Sequence, residues 1–407
     1  MRIAGVEWSP RINGATDYLE HLAPGFRKLG HEYELVAFGK TGKALKYWSR
    51  GERFRIERCD EAADVLDEYD FLVLSDVACF APHLVREFTP YYVKALRATK
   101  TPFAALHHGN HYPKELDAHI GDVLRAPTFT KHVHTPKLPE AQAHLGRFKE
   151  DLRYTWTPHH PYDPARGASL VPHTPVSLRK RAMMMTARVA YGKGQDVASE
   201  LLRDLRGDVH IWGQSPFARP TYGWAMWEIG TQRLGYVNGD PDETPEQIER
   251  RKWQIDQRWR GKWSMVSPAT GSRFWYHDSY EKLEDVDWSP RLHVSLASKA
   301  YGHILEYATL DASFCGCLIA VPEHSLKYGS HETVVSLPFE GGKCRLDGER
   351  YTCTFDGDRQ ECVDRINAVF EMSDDDFAEA LAAQREEVSR LHTTSEAAEM
   401  ILGQALR

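Results

Sequence analysis

The chain has 407 residues, 42% of them hydrophobic and 27% charged, with a formal net charge of −7. That is the composition of an ordinary globular protein of two or three domains, and no window approaches the ~18 uninterrupted apolar residues of a membrane span. The acidic balance does not favour wholesale coating of nucleic acid by charge, but leaves room for one local basic groove.

In chain order, "MRIAGVEWSP" already alternates like a strand and lacks a basic leader, so no signal peptide is expected and a cytoplasmic location follows. "RIAGVEW" runs through the loop "SPRINGAT" into "DYLEHLAPGFRKLGH", where Leu19, Leu22, Phe26 and Leu29 recur at helical spacing. "YELVAFG", "DFLVLSDVA" and "TPFAALHHG" are further strands, giving a doubly wound first half. A turn-rich stretch from residue 155 to 177 reads as the crossing to a second domain.

The alternation then restarts with "AMMMTARV", "DVHIWGQ", "RLHVSLA" and "CLIAV", the pattern of a second parallel sheet. Residues 215–290 form an insertion far longer than the usual connection in such sheets. "CRLDGERYTCTF" reads as a hairpin around its Asp-Gly centre, and the C-terminal region from "DDDFAEALAAQREEVSRL" onward reads as two helices. Seven cysteines without metal-type spacing are expected to be reduced thiols, Cys315 and Cys317 packing in the core. The domain expectation is 1–170, 171–390, and a terminal helix at 391–407 that returns to the first domain.

Five groups of residues can carry chemistry. Glu306 and Asp311 precede a small-residue turn at Gly316, in a helix expected to begin near Leu305; about 140° apart on a straight helix, they suit two ends of one long ligand. Carboxylates accept paired hydrogen bonds from the adjacent hydroxyls of a sugar or ribose. Against this, Glu306 could merely complement the helix dipole and Asp311 face solvent. A strand "RAMMMTARV" is expected to end at Arg188, with Lys193 in the Gly-Lys-Gly turn beyond it, so two cations flank flexible backbone where a diphosphate fits. An ordinary solvated turn is the alternative.

Gly14, in the loop after the first strand, allows close backbone approach to a ligand ahead of a helix N-terminus. His107, His108 and His111 cluster past a strand end and suit proton transfer or a hydroxyl contact; without Cys or acidic companions they do not suggest a metal. Residues 249–263, "ERRKWQIDQRWRGKW", hold six basic against two acidic side chains, a local charge of +4, with tryptophans interleaved. Arg250, Arg251, Lys252, Arg258, Arg260 and Trp259 are therefore candidates for a nucleic-acid surface; an amphipathic helix with inward tryptophans gives the same pattern.

"GATDYLEHLAPGFRKLGHEYELVAFG", "TARVAYGKGQDV", "VHIWGQ" and "LEYATLDASFCGCLIAV" together resemble the retaining GT-B glycosyltransferases, in order and spacing along most of the chain. The resemblance implies two Rossmann-like doubly wound domains facing across a cleft, the first for acceptor and the second for a nucleotide sugar. It implies that Arg188 and Lys193 stabilise the leaving diphosphate, that Gly14 and Gly213 lie at the donor, that Glu306 holds the transferred sugar and Asp311 the ribose. His107 or His108 would orient acceptor or donor sugar.

The common pattern of two glutamates eight residues apart is altered here, since His303 takes the earlier place. The shorter form, acid-Tyr-x-Thr-Leu-acid, is similar to phage α-glucosyltransferases that modify hydroxymethylated bases in DNA. That implies UDP-glucose as donor, hydroxymethylated pyrimidine in double-stranded DNA as acceptor, no cofactor or metal, a monomer, and a host-cytoplasmic location for a phage-encoded chain. The alternatives are a cell-surface glycan or lipid-linked acceptor, with residues 249–263 facing a membrane, a nucleotide-sugar epimerase, and a non-catalytic binding module.

Overall fold

Seven strands in the order β3-β2-β1-β4-β5-β6-β7 form the first sheet: β1 (Arg2–Glu7), β2 (Glu32–Gly39), β3 (Arg55–Arg58), β4 (Phe71–Leu74), β5 (Phe103–His107), β6 (Phe129–His134) and β7 (Tyr154–Trp156). Every pairing is parallel, as in Ile3 opposite Tyr33 and Phe71, and the order of the first six is that of a dinucleotide-binding sheet. Strands covered on both faces need continuous apolar runs, and Phe71–Leu74 is buried throughout. The computed structural model describes residues 1–7, 14–39, 54–75, 91, 93–107, 125–134, 154–156, 159–166, 174–187, 192–213, 234, 237–238, 244, 246–247, 263–277, 280, 283–299, 305–326, 331–347 and 350–403.

The chain divides into two compact units, Met1–Asp163 with Ser389–Arg407, and Pro164–Val388. In the first, α1 (Gly14–Lys28) connects β1 to β2 and buries Tyr18, Leu19, Leu22 and Phe26 at helical spacing. The short α2 (Ala62–Leu66) lies between β3 and β4.

The second unit holds β8 (Lys180–Thr186), β9 (Asp208–Trp212), β10 (Val237–Asn238), β11 (Trp263–Val266), β12 (Arg273–Tyr276), β13 (Pro290–Val294), β14 (Leu318–Pro322) and β15 (Val335–Leu337), in the order β10-β11-β12-β9-β8-β13-β14-β15. From β12 to β15 the pairing is parallel; β10 and β11 add antiparallel neighbours at one edge. Part of the expected insertion thus continues the sheet. The strand expected to reach Arg188 stops at Thr186.

Helices α3 (Gln195–Leu201), α4 (Tyr307–Phe314), α5 (Arg359–Glu371) and α6 (Asp374–Leu391) follow, the last crossing the division between the units. Met183, Val209, Leu292, Ile366 and Phe370 belong to the core of this unit. Helix α7 (Thr394–Leu402) packs on α1 in the first unit, so closely that a Cβ on Gly25 would lie 2.1 Å from the Thr394 carbonyl oxygen. No helix among the described residues is long and apolar enough to cross a membrane.

The hairpin expected around Asp-Gly is β16 (Phe339–Asp347) with β17 (Arg350–Gly357), antiparallel with Cys344 opposite Cys353. Those two cysteines form a disulfide, which corrects the expectation of reduced thiols throughout; the ladder register brings them face to face. Cys315, Cys317 and Cys362 are free and buried, and burial pushes the Cys317 thiol up to about 12.

Candidate functional site

In the second sheet, β8 has β9 on one side and β13 on the other, so the chain leaving β8 and the chain leaving β13 diverge. Such a reversal of strand order opens a crevice beyond the carboxyl ends of the strands. Lys193 follows β8 and Glu306 follows β13, and their side chains meet there in an ion pair between Nζ and Oε1. The lysine is the more enclosed partner, its side chain 12% exposed against 31% for the glutamate.

The Gly-Lys-Gly turn is fixed by its backbone. Gly192 and Gly194 have φ of 84° and 83°, the left-handed region that costs a side chain energy. A Cβ on Gly194 would lie 2.3 Å from Leu296 Cβ, so the residue is glycine for space as well as for angle. Ser298 N–H donates to the Gly192 carbonyl at 2.8 Å. Behind the turn, buried Asp196 accepts from Cys344 N–H at 2.8 Å and ties α3 to the hairpin.

Glu306 is the N-cap of α4, its backbone extended at φ −71°, ψ 153° and its carbonyl accepting from Thr309 and Leu310 N–H. Its carboxylate makes no capping bond to the helix. The helix is shorter than expected, starting at Tyr307. Asp311 is buried, only 7% exposed, which overturns the reading in which it faces solvent.

The far end of α4 closes in a Schellman motif: Gly316 N–H donates to Ser313 O, and Cys317 N–H to Ala312 O. Two arginines also donate to carbonyls of this last turn. Arg385 donates to Ser313 O and Phe314 O, and Arg179 to Cys315 O at 3.0 Å. Cations at a helix C-terminus complement its dipole, so the helix bearing both acids is held from behind. Arg179 leaves no room for a side chain on Gly316, where a Cβ would stand 1.8 Å from its Nη2.

Gly213 follows the end of β9, its carbonyl accepting from the Tyr276 hydroxyl at 3.1 Å. Beside it Trp212 stacks on His277 with centroids 4.2 Å apart, and His277 stacks on His210 at 5.1 Å. Burial, followed by the neighbouring His277, drives the His210 pKa down to about 3. On β13, buried His293 reaches across to the end of β8, its Nε2 2.8 Å from Thr186 Oγ1 and 3.3 Å from Thr186 N.

The structure thus brings Lys193 and Glu306 into contact and places Asp311 on the helix that Glu306 caps. Gly14 opens α1 in the first unit, and His107 is the last residue of β5. Arg188, His108, His111, His303, Arg250, Arg251, Lys252, Arg258, Trp259 and Arg260 lie outside the described residues. His293 and Thr186 were missed; the available signal was a histidine between the apolar Leu292 and Val294 in "RLHVSL".

No family model and no curated protein matches the chain. Solved structures do. An α-glucosyltransferase in complex with UDP and a 13-mer DNA containing an HMU base superposes with a TM-score of 0.66 at 12% identity, over 98% of this chain and 99% of that one. The α-glucosyltransferase in complex with UDP-glucose and DNA containing an abasic site gives 0.66 at 14%, with 98% and 99% covered. Anabaena Alr3699/HepE in complex with UDP and glucose gives 0.59 at 12%, with 99% of each chain covered. These likenesses run the length of the chain and establish the GT-B kind of fold, two Rossmann-like units.

Proposed function

We propose that the protein is a retaining glycosyltransferase that moves glucose from UDP-glucose to a hydroxymethylated pyrimidine in DNA. The observation that carries the donor half is the meeting of Lys193 and Glu306 at the switch point of the second sheet, with Asp311 on the same helix. A cation there is placed for charge that develops on a departing diphosphate, and preorganised charge of this kind is usually the largest catalytic term. Lys193 takes that role together with Arg188. Glu306 holds hydroxyls of the transferred sugar and Asp311 those of the ribose, carboxylates being acceptors for paired donors.

The acceptor half is supported by the likeness to proteins whose structures contain UDP or UDP-glucose together with DNA. The basic tryptophan-rich stretch 249–263 is the candidate for the phosphate backbone, with Arg250, Arg251, Lys252, Arg258 and Arg260 as its cations and Trp259 at the vacated stack. His107 and His108 are the candidates for orienting a hydroxyl.

The test follows UDP release from UDP-glucose with no acceptor, with unmodified duplex, and with duplex containing 5-hydroxymethylcytosine or 5-hydroxymethyluracil. Release that depends on the modified duplex supports the reading. Conversion of donor alone into another nucleotide sugar points to an epimerase, and release driven by a glycan or lipid-linked acceptor points to that acceptor class instead.

A further inference from the structure

One segment, residues 293–298, contacts both the Gly192–Gly194 turn that carries Lys193 and the end of β8 that precedes it in the chain. At its far end, Ser298 N–H holds the Gly192 carbonyl and Leu296 fills the space where a Gly194 side chain would stand. At its near end, the contact is a side chain. His293 Nε2 faces both the hydroxyl and the N–H of Thr186, the last residue of β8. One residue on, Ala187 N–H donates to the Trp212 carbonyl at 3.1 Å, a second contact that holds the end of β8.

The ring's protonation follows from its partners. A backbone N–H can only donate, so Nε2 presents its lone pair to Thr186, and the proton of the neutral imidazole sits on Nδ1. Nδ1 has no hydrogen-bond partner among the described residues although the side chain is 2% exposed. A buried donor left unmatched is costly, and such groups call for an explanation. Glu306 is the carboxylate whose field acts on this ring, holding its pKa up against the burial that lowers it.

We propose that His293 is a positioning residue of the donor site: through Thr186 it fixes the end of β8 from which the Lys193 turn departs, bridging the two strands between which the crevice opens. This rests on the reading of that crevice as a UDP-sugar site. His293 does not touch the reacting atoms in this proposal; it acts by keeping the cation where the diphosphate needs it, and small displacements of such groups are expensive in rate.

The experiment combines UDP titration calorimetry, steady-state kinetics with UDP-glucose and modified duplex, and thermal unfolding on the whole chain. The variants are His293→Leu, which keeps volume and loses both nitrogens, His293→Gln, which restores an acceptor near the Nε2 position, and the isosteric Thr186→Val. His293→Leu is expected to lower kcat/KM about tenfold, the scale of one buried hydrogen bond, mainly through kcat. Thr186→Val should match it, the double variant should be no worse than either single one, and His293→Gln should recover most of the rate. Wild-type kinetics in both His293→Leu and Thr186→Val, strictly additive losses, or a glutamine variant no better than leucine despite wild-type melting would overturn the proposal while leaving the donor site standing. A wild-type protein that binds no UDP would overturn the donor reading and the proposal with it.

Discussion

Lys193 and Glu306 are ion-paired beyond the ends of β8 and β13, the cation proposed for the diphosphate with the carboxylate proposed for the sugar. Under the proposed assignments, a bound donor would exchange these partners, phosphate for the lysine and hydroxyls for the glutamate. For UDP alone the exchange is one-sided, because no sugar is present to take the carboxylate.

Glu306→Gln should then tighten UDP binding while impairing transfer. A partly exposed pair of this kind is worth up to ~1 kcal/mol, so the gain in UDP affinity should reach no more than about fivefold. Calorimetry with UDP, set beside transfer rates, reads both halves; weaker UDP binding would show that Glu306 does not compete for Lys193.

Lys193→Ala should lower turnover about 100-fold or more, the scale of one transition-state contact, with little change in melting temperature. The pair it removes is partly exposed and contributes little to folding. Steady-state kinetics and thermal unfolding on the same preparation separate the two effects.

Gly316→Ala tests the clamp behind α4. Its φ of +97° disfavours a side chain, and the new Cβ would displace the Arg179 guanidinium from the Cys315 carbonyl. Strain and overpacking together should cost at least about 2 kcal/mol, visible as a lower urea midpoint. An unchanged midpoint would mean that Arg179 yields without loss.

Buried histidine gives the pH dependence its sign. Burial lowers the His293 pKa from 6.5 to about 4, with the Glu306 charge opposing, so the unfolded chain binds more protons between those values. Stability from this group is fully present above about pH 6.5 and is lost as pH falls towards 4. At pH 5 the loss is about 1.5 units at ~1.4 kcal/mol each, roughly 2 kcal/mol. Urea unfolding at pH 7 and pH 5 should show a smaller acid loss in His293→Leu than in wild type; equal losses would show that this ring is not a source of it.

The two sheets were legible in the sequence because strands covered on both faces, such as Phe71–Leu74 and Leu318–Pro322, need nearly unbroken apolar runs. The hairpin was legible from its Asp-Gly turn, but the Cys344–Cys353 pairing depends on ladder register, which composition does not display. Lys193 and Glu306 were each legible from a glycine turn and a helix start. Their contact was not, because 113 residues separate them and strand order brings them together. His293 escaped notice for the same reason: its partner Thr186 is 107 residues away.

The most direct test of the proposed function is the intact mass of a duplex containing 5-hydroxymethylcytosine after incubation with the protein and UDP-glucose, beside an identical duplex carrying unmodified cytosine. The expected result is a gain of one hexosyl mass per modified base, absent from the unmodified duplex and lost with Lys193→Ala. An unchanged mass on every hydroxymethylated duplex, from a protein that binds UDP-glucose and transfers its sugar to a glycan or lipid, would contradict DNA as the acceptor.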